Sequence, residues 1–142
     1  MNFREAIESG FRHYVTFSGR AVRSEFWFWI LFTVAGGIGA ELVDYVLIPS
    51  WVSYSPFSGV FDIATFLPGI AVAVRRLHDI GRTGWWFLLV LVPLLGVVVL
   101  IYWWCIEGSR GYNRFGADPR PAEVSRHGRG RSLHRAQTDK AG

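Results

Sequence analysis

Cysteine occurs once in this 142-residue chain, at Cys105, which excludes a disulfide framework and a cysteine-based zinc site. Charge is sparse as well: Asp, Glu, Lys and Arg make 18% of the residues, against about 25% in ordinary soluble proteins. Catalytic signatures are missing. There is no H-E-x-x-H pair, no glycine-rich phosphate loop and no nucleophile elbow, so a soluble enzyme is excluded. His13, His78, His127 and His134 share no ligand spacing, and neither a metal nor a cofactor is expected. Neighbouring His78 and Asp79 do not face one another on a helix and make no catalytic pair. What the chain has in excess is apolar and aromatic surface: 51% hydrophobic residues, with seven Trp and eleven Phe. At this length that is the composition of one membrane-embedded domain.

Three apolar stretches are candidate spans, at residues 26–48, 57–74 and 85–106. The first, about 23 residues, makes roughly 35 Å of helix, enough for a hydrocarbon core of about 30 Å. The second is interrupted by Asp62 and Pro68. The third carries no charged side chain and is flanked by Trp85-Trp86 and Tyr102-Trp103-Trp104, the pattern of aromatic rings at both membrane interfaces. Ahead of the spans, Phe3, Ile7, Phe11 and Tyr14 recur at helical spacing behind a cap-like Asn2-x-x-Glu5. That predicts a short amphipathic helix, lying on the membrane surface or packed against the bundle.

Charge is distributed unevenly. Seven Arg and seven acids cancel between Met1 and Ile106, so the net charge of +4 resides from Glu107 onward. Residues 1–119 are expected to form the membrane domain and residues 120–142 a disordered basic tail. Its Arg126-His127-Gly128-Arg129-Gly130-Arg131 stretch suits anionic lipid, while nucleic acid is not an expected partner. Arginines before the first span and in the 75–84 loop place the N-terminus in the cytoplasm. Three spans then send the tail outside. A break at Pro93 and Gly96 leaves a second topology open, in which the third stretch is a re-entrant hairpin that returns the tail to the starting side.

Two constellations of ionisable residues are candidates for chemistry. Glu41 and Asp44 share a helix face late in the first span, and Asp62 lies early in the second. Carboxylates at membrane depth mark ion paths when they are not at headgroup level. On the arginine side, Arg20, Arg23 and Glu25 precede the first span, while Arg75, Arg76, His78, Asp79, Arg82, Trp85 and Trp86 lead into the third. These residues suit lipid phosphates or a partner protein, or a self-satisfied network such as Arg20 or Arg23 with Asp79 and Glu25 with Arg75, Arg76 or Arg82. After the third stretch, Gly111, Asn113, Gly116, Asp118 and Pro119 mark a compact turn-rich loop. If that loop forms one site with the two arginine segments, the re-entrant topology is favoured.

Three motifs, G-R-A-V-R-S-E-F-W at 19–27, R-R-L-H-D-I-G-R-T-G-W-W at 75–86 and N-R-F-G-A-D-P at 113–119, resemble the family called domain of unknown function 805. They run in family order over roughly residues 11–119, with Thr83 where serine is usual. The resemblance implies a multi-span protein of the bacterial cytoplasmic (inner) membrane and implies no activity. The expected fold is thus an all-α integral membrane protein. The expected function is a non-enzymatic scaffold or regulatory component engaging anionic lipid headgroups, a membrane-protein partner or a second copy of itself. The alternative is an oligomeric proton, ion or solute transporter subunit using Glu41, Asp44 and Asp62.

Overall fold

The computed structural model describes residues 1–49 and 51–120. Helix α1 spans Phe3–Arg12, α2 Arg23–Leu47 and α3 Pro56–Asp79; a 3-10 helix, Gly84–Leu91, precedes α4, Leu95–Cys105. No strand occurs among the described residues. The expected disordered tail lies outside them from residue 121 onward.

Helix α1 starts at a full capping box: Asn2 accepts from the Glu5 amide at 2.9 Å, and the Glu5 carboxylate accepts from the Asn2 amide at 2.8 Å. Its apolar stripe packs on α2, with Phe11 edge-on to Trp29 at 5.2 Å and Phe3 edge-on to Phe28 at 5.9 Å. Trp29 lies so close to Gly10 that a Cβ there would enter the indole ring. The amphipathic segment is therefore joined to the bundle, although both Phe3 and Phe11 remain partly exposed.

The two long helices run to about 37 Å and 36 Å at 1.5 Å per residue, and each is long and apolar enough to cross a membrane. Leu31, Val34, Ile38 and Leu42 on α2, and Val60, Ile63 and Phe66 on α3, are more than half exposed. Stripes of this kind belong in hydrocarbon, because a water-facing surface rarely carries so large an apolar patch. The core between the helices is small: Phe26, Trp29, Val72 and Ala73, flanked by Ile30, Phe32, Phe87 and Trp104.

Helix α3 differs from expectation at its end. The segment from Arg75 to Asp79, expected as a loop because it is charged, is the last part of the helix and is buried throughout. Charge predicted exposure, but these side chains are paired internally. After Ile80, Gly81 takes φ +76°, a left-handed turn that glycine adopts without a Cβ penalty, and the chain reverses.

The third apolar stretch is not one span. Its 3-10 leg of 8 residues rises about 16 Å at roughly 2.0 Å per residue, and α4, with 11 residues, rises about 16 Å. Neither leg crosses a core of about 30 Å. Pro93 supplies no amide for a continuous helix, and Leu94 has φ +62°, a conformation that turns the chain back on itself. A Cβ at Gly96 would collide with the Leu89 carbonyl, so the legs touch closely. At the apex, the amides of Val92, Leu95, Gly96 and Val98 find carbonyls within the hairpin at 2.8–3.1 Å. The Trp86 and Trp103 rings meet edge to face at 5.4 Å at the open end. The chain leaves and re-enters at the same end of the bundle, which corrects the reading of residues 85–106 as a third continuous span.

Candidate functional site

All three arginine-containing motifs meet where α2 starts and α3 and α4 end. A helix terminus leaves its last carbonyls without partners, and at this end two termini must be completed together. For α3, the Arg75 carbonyl accepts from the Ala21 amide at 3.0 Å, Leu77 from the Arg82 amide at 2.9 Å, and Asp79 from the Ser109 amide at 2.9 Å. The His78 carbonyl accepts from Asn113 Nδ2 at 3.0 Å. For α4, Arg76 donates Nε to the Trp104 carbonyl at 3.3 Å and Nη2 to the Ile106 carbonyl, while Arg23 donates to the Cys105 carbonyl at 3.0 Å. Guanidinium ions at a helix C-terminus also oppose its negative dipole end.

Asp79 joins these pieces. One carboxylate oxygen accepts from Arg20 Nε at 2.9 Å and the other from Arg76 Nη1; Arg20 and Arg76 side chains are 1% and 0% exposed. Arg20 reaches onward to the Gly111 carbonyl at 2.6 Å, the Gly116 carbonyl at 3.3 Å and the Ser109 carbonyl. Gly108 lies against the Asp79 carboxylate, where a Cβ would overlap it. A second buried pair stands beside the first: Arg75 donates to Glu25 at 2.9 Å, and Ser9 of α1 donates to the same carboxylate oxygen at 2.8 Å. His78 donates from Nδ1 to the Gly19 carbonyl at 3.1 Å and stacks flat on Phe115 at 3.9 Å.

The closing loop carries its own fastening. Asn113 and Gly116 exchange backbone hydrogen bonds at 3.0 Å. Asp118 accepts from the Arg120 side chain at 2.7 and 2.8 Å, from the Arg120 amide at 3.0 Å and from the Gly111 amide at 3.2 Å. The Arg120 side chain, foremost, and these amides hold the Asp118 carboxyl well below the usual carboxylate range. Arg120 also reaches Glu107 at 2.8 Å, so the ordered loop includes a residue expected to belong to the tail. Pro119 is exposed and, with Val22, Arg23, Ser24, Gly108 and Arg120, borders a cleft of about 340 Å³ above Asp79.

The structure thus turns Arg20, Arg75 and Arg76 inward, where the sequence pattern also allowed a surface gripping lipid phosphate. Burial with two carboxylates and a set of helix-end carbonyls accounts for their inward placement. Arg23 stays exposed while bonding the Cys105 carbonyl, and Arg82 is not drawn into the network. Its guanidinium lies 3.8 Å above the Trp103 ring and 5.7 Å from Trp86. Its one hydrogen bond among the described residues is from the backbone amide, to the Leu77 carbonyl. Trp85 is 80% exposed.

The three acids at the far end are not gathered into a path. Asp44 is buried and accepts from the Phe57 amide at 3.0 Å and the Ser58 amide at 2.8 Å, so it caps α3 from a neighbouring helix in place of Ser55, whose side chain makes no cap bond. Glu41 is exposed at the rim of an open cavity of about 430 Å³ that it shares with Asp44, Tyr45 and Tyr54. Asp62 is exposed outside that lining. The side chains and carbonyls gathered around Asp79 and Glu25 form a collar about the helix ends. Sequence reasoning missed Ser9 as a member of it, while Gly108, Ser109 and Phe115 were legible only as parts of a turn-rich motif with no partners assigned.

The chain is similar to known bacterial inner membrane proteins. Inner membrane protein YhaI of Escherichia coli K12 is 41% identical over 109 residues, covering 77% of this chain and 90% of YhaI. Inner membrane protein YhaH of the same organism is 39% identical over 112 residues, covering 77% and 91%. The uncharacterized protein YiiR is 28% identical over 135 residues, covering 72% and 85%. No solved structure matches. With the family's model matching residues 14–117, a range that contains the whole of the collar's arginine and asparagine residues from Arg20 to Arg114, the chain belongs to the family described as protein of unknown function (DUF805).

Proposed function

We propose that the protein is a non-enzymatic component of the bacterial inner membrane, with two transmembrane helices and one re-entrant hairpin, that engages anionic phospholipid through Arg82. The observation that carries this reading is the Arg82 guanidinium held on the Trp103 face. Five N–H donors are thereby oriented at the open end of the hairpin without an internal acceptor, the geometry that suits a phosphate. All the described arginines, from Arg4 to Arg120, lie on segments at this end or on α1 beside it, whereas residues 49–55 are uncharged. The excess of positive charge supports a cytoplasmic location for this end.

Transport is the less supported function. From Arg23 to Asp44 the helix advances about 31 Å, and from Asp79 back to Asp62 about 26 Å, so these acids fall toward the far headgroup level instead of mid-membrane. Asp44 is moreover committed to the α3 cap. The lipid reading is tested by extracting the protein with its native lipids. Arg82→Gln is expected to retain less phosphatidylglycerol and cardiolipin than the parent chain at equal thermal stability. Undiminished retention in a folded Arg82→Gln protein refutes it.

A further inference from the structure

A cavity of about 470 Å³ opens between the 13–22 connection, the end of α3 and the start of the 3-10 helix, lined by Phe17, Val74, His78, Gly84, Trp85, Phe87 and Leu88. Its walls are apolar except for one imidazole. His78 is 8% exposed. Its Nδ1 lies 3.1 Å from the Gly19 carbonyl, an atom that only accepts, so Nδ1 carries a proton and donates. No carboxylate contacts the ring among the described residues. A neutral imidazole with Nδ1 donating leaves Nε2 as a hydrogen-bond acceptor, and Nε2 has no partner among the described residues. Gly84 keeps this nitrogen uncovered: a Cβ at Gly84 would come within 3.6 Å of Nε2 and 2.7 Å of Val74 Cγ1.

We propose that this cavity is a binding site for a neutral membrane amphiphile, an apolar body carrying a hydroxyl group that donates to His78 Nε2. The lining selects this chemistry. No guanidinium or carboxylate borders the cavity, so an ionic headgroup would lie there unpaired, which is costly in apolar surroundings. A pure hydrocarbon would leave Nε2 unpaired instead. Aromatic walls from Phe17, Trp85 and Phe87 suit a flat or chain-like apolar body. Depth suits it too: His78 is next to the last residue of α3 and Gly84 is the first of the 3-10 helix, so the acceptor sits near the level where lipid hydroxyls reside. Exposed Trp85 and Leu88 form the mouth through which a molecule enters from the bilayer. Two membrane sources supply this chemistry, the alcohol of a glycerolipid and the phenol of a quinol.

The test uses the full chain, labelled with 15N-histidine, in phosphatidylcholine nanodiscs, whose lipids carry no hydroxyl donor. The His78 resonances are identified by their loss in His78→Gln. Titration with 1-dodecanol or decyl-ubiquinol is expected to shift His78 Nε2, with dodecyl methyl ether binding about tenfold more weakly, as expected when a buried acceptor is left unpaired. A response to one hydroxyl probe alone supports the site and assigns its source. Gly84→Ala and Leu88→Trp, which add bulk at two lining positions of the 3-10 helix, are each expected to abolish the shift, and a retained Nδ1 proton bonded to Gly19 reports that the collar is folded. No Nε2 shift with either hydroxyl probe, an equal response to the ether, or an undiminished response in both filled variants overturns the proposal. Arg82 does not line the cavity, so the lipid-retention result and this one fail independently.

Discussion

Replacing Asp79 by Asn removes one negative charge and leaves the side chain's shape nearly unchanged. In the parent chain that charge faces Arg20 and Arg76, both withdrawn almost completely from solvent. The asparagine carbonyl can still accept from one guanidinium, but its NH2 group then points at the other. Breaking a buried ion pair by removing one partner costs about 3–5 kcal/mol, since an uncompensated charge stays behind. That is a large part of a typical stability of roughly 5–15 kcal/mol. The loss should appear in two observables. In detergent, the unfolding midpoint of Asp79→Asn falls. At temperatures where the helices persist, protease cuts within residues 107–120 sooner, because that loop hangs on Arg20 and on the Asp79 carbonyl. A double-mutant cycle with Arg20→Gln separates the pair from the collar: a coupling of about 0.5–3 kcal/mol is expected for contacting residues. If Asp79→Asn unfolds within about 0.5 kcal/mol of the parent, as surface substitutions do, the collar does not hold the hairpin.

Cysteines placed singly at positions 15, 53, 80 and 112 on a Cys105→Ser background should label from one side at 15, 80 and 112 and from the other at 53; labelling of 112 from the side of 53 contradicts the hairpin. Gly36→Ala should destabilise by about 1–3 kcal/mol, because its Cβ would enter the Phe61 ring, while Gly37→Ala, with open space around it, should be neutral or gain up to about 1 kcal/mol in helix propensity. Asp44→Ala should cost about 0.5–2 kcal/mol, the range for losing an N-cap, read as a lower midpoint and faster hydrogen exchange at Phe57 and Ser58. The depressed Asp118 carboxyl makes its bonds contribute above the ordinary carboxylate pKa near 4. Acidification below that value should progressively loosen the 107–120 loop, by proteolysis or exchange, and Asp118→Asn should remove that acid dependence.

Periodicity and breaker residues made much of this fold readable. The Asn2/Glu5 cap and the presence of two long apolar helices, expected at 26–48 and 57–74 and found at Arg23–Leu47 and Pro56–Asp79, follow from local rules acting within a single segment. The end of α3 did not follow, because Arg75 and Arg76 look like loop residues until Glu25, Asp79 and the α4 carbonyls are placed beside them. The hairpin was legible only as an alternative: Pro93 and Gly96 signal a break, but a break within an apolar run gives no direction for the chain beyond it. Pairing of Arg20 with Asp79 and of Glu25 with Arg75 was among the combinations that charge alone allowed. The role of Asp44 was not, since its helix and the one it caps meet only in three dimensions. Nothing in spacing marked the His78 cavity, whose walls come from three separate segments.

The equal, short legs of the hairpin bear on how such a chain is inserted. On the proposed orientation the translocation machinery has one polar stretch to move across the bilayer, residues 49–55, and that stretch carries no ionised group. The described arginine-rich segments stay on the side of synthesis, so the collar can close behind the hairpin as soon as residue 120 leaves the ribosome, and only the carboxylates of Glu41, Asp44 and Asp62 are carried toward the far side.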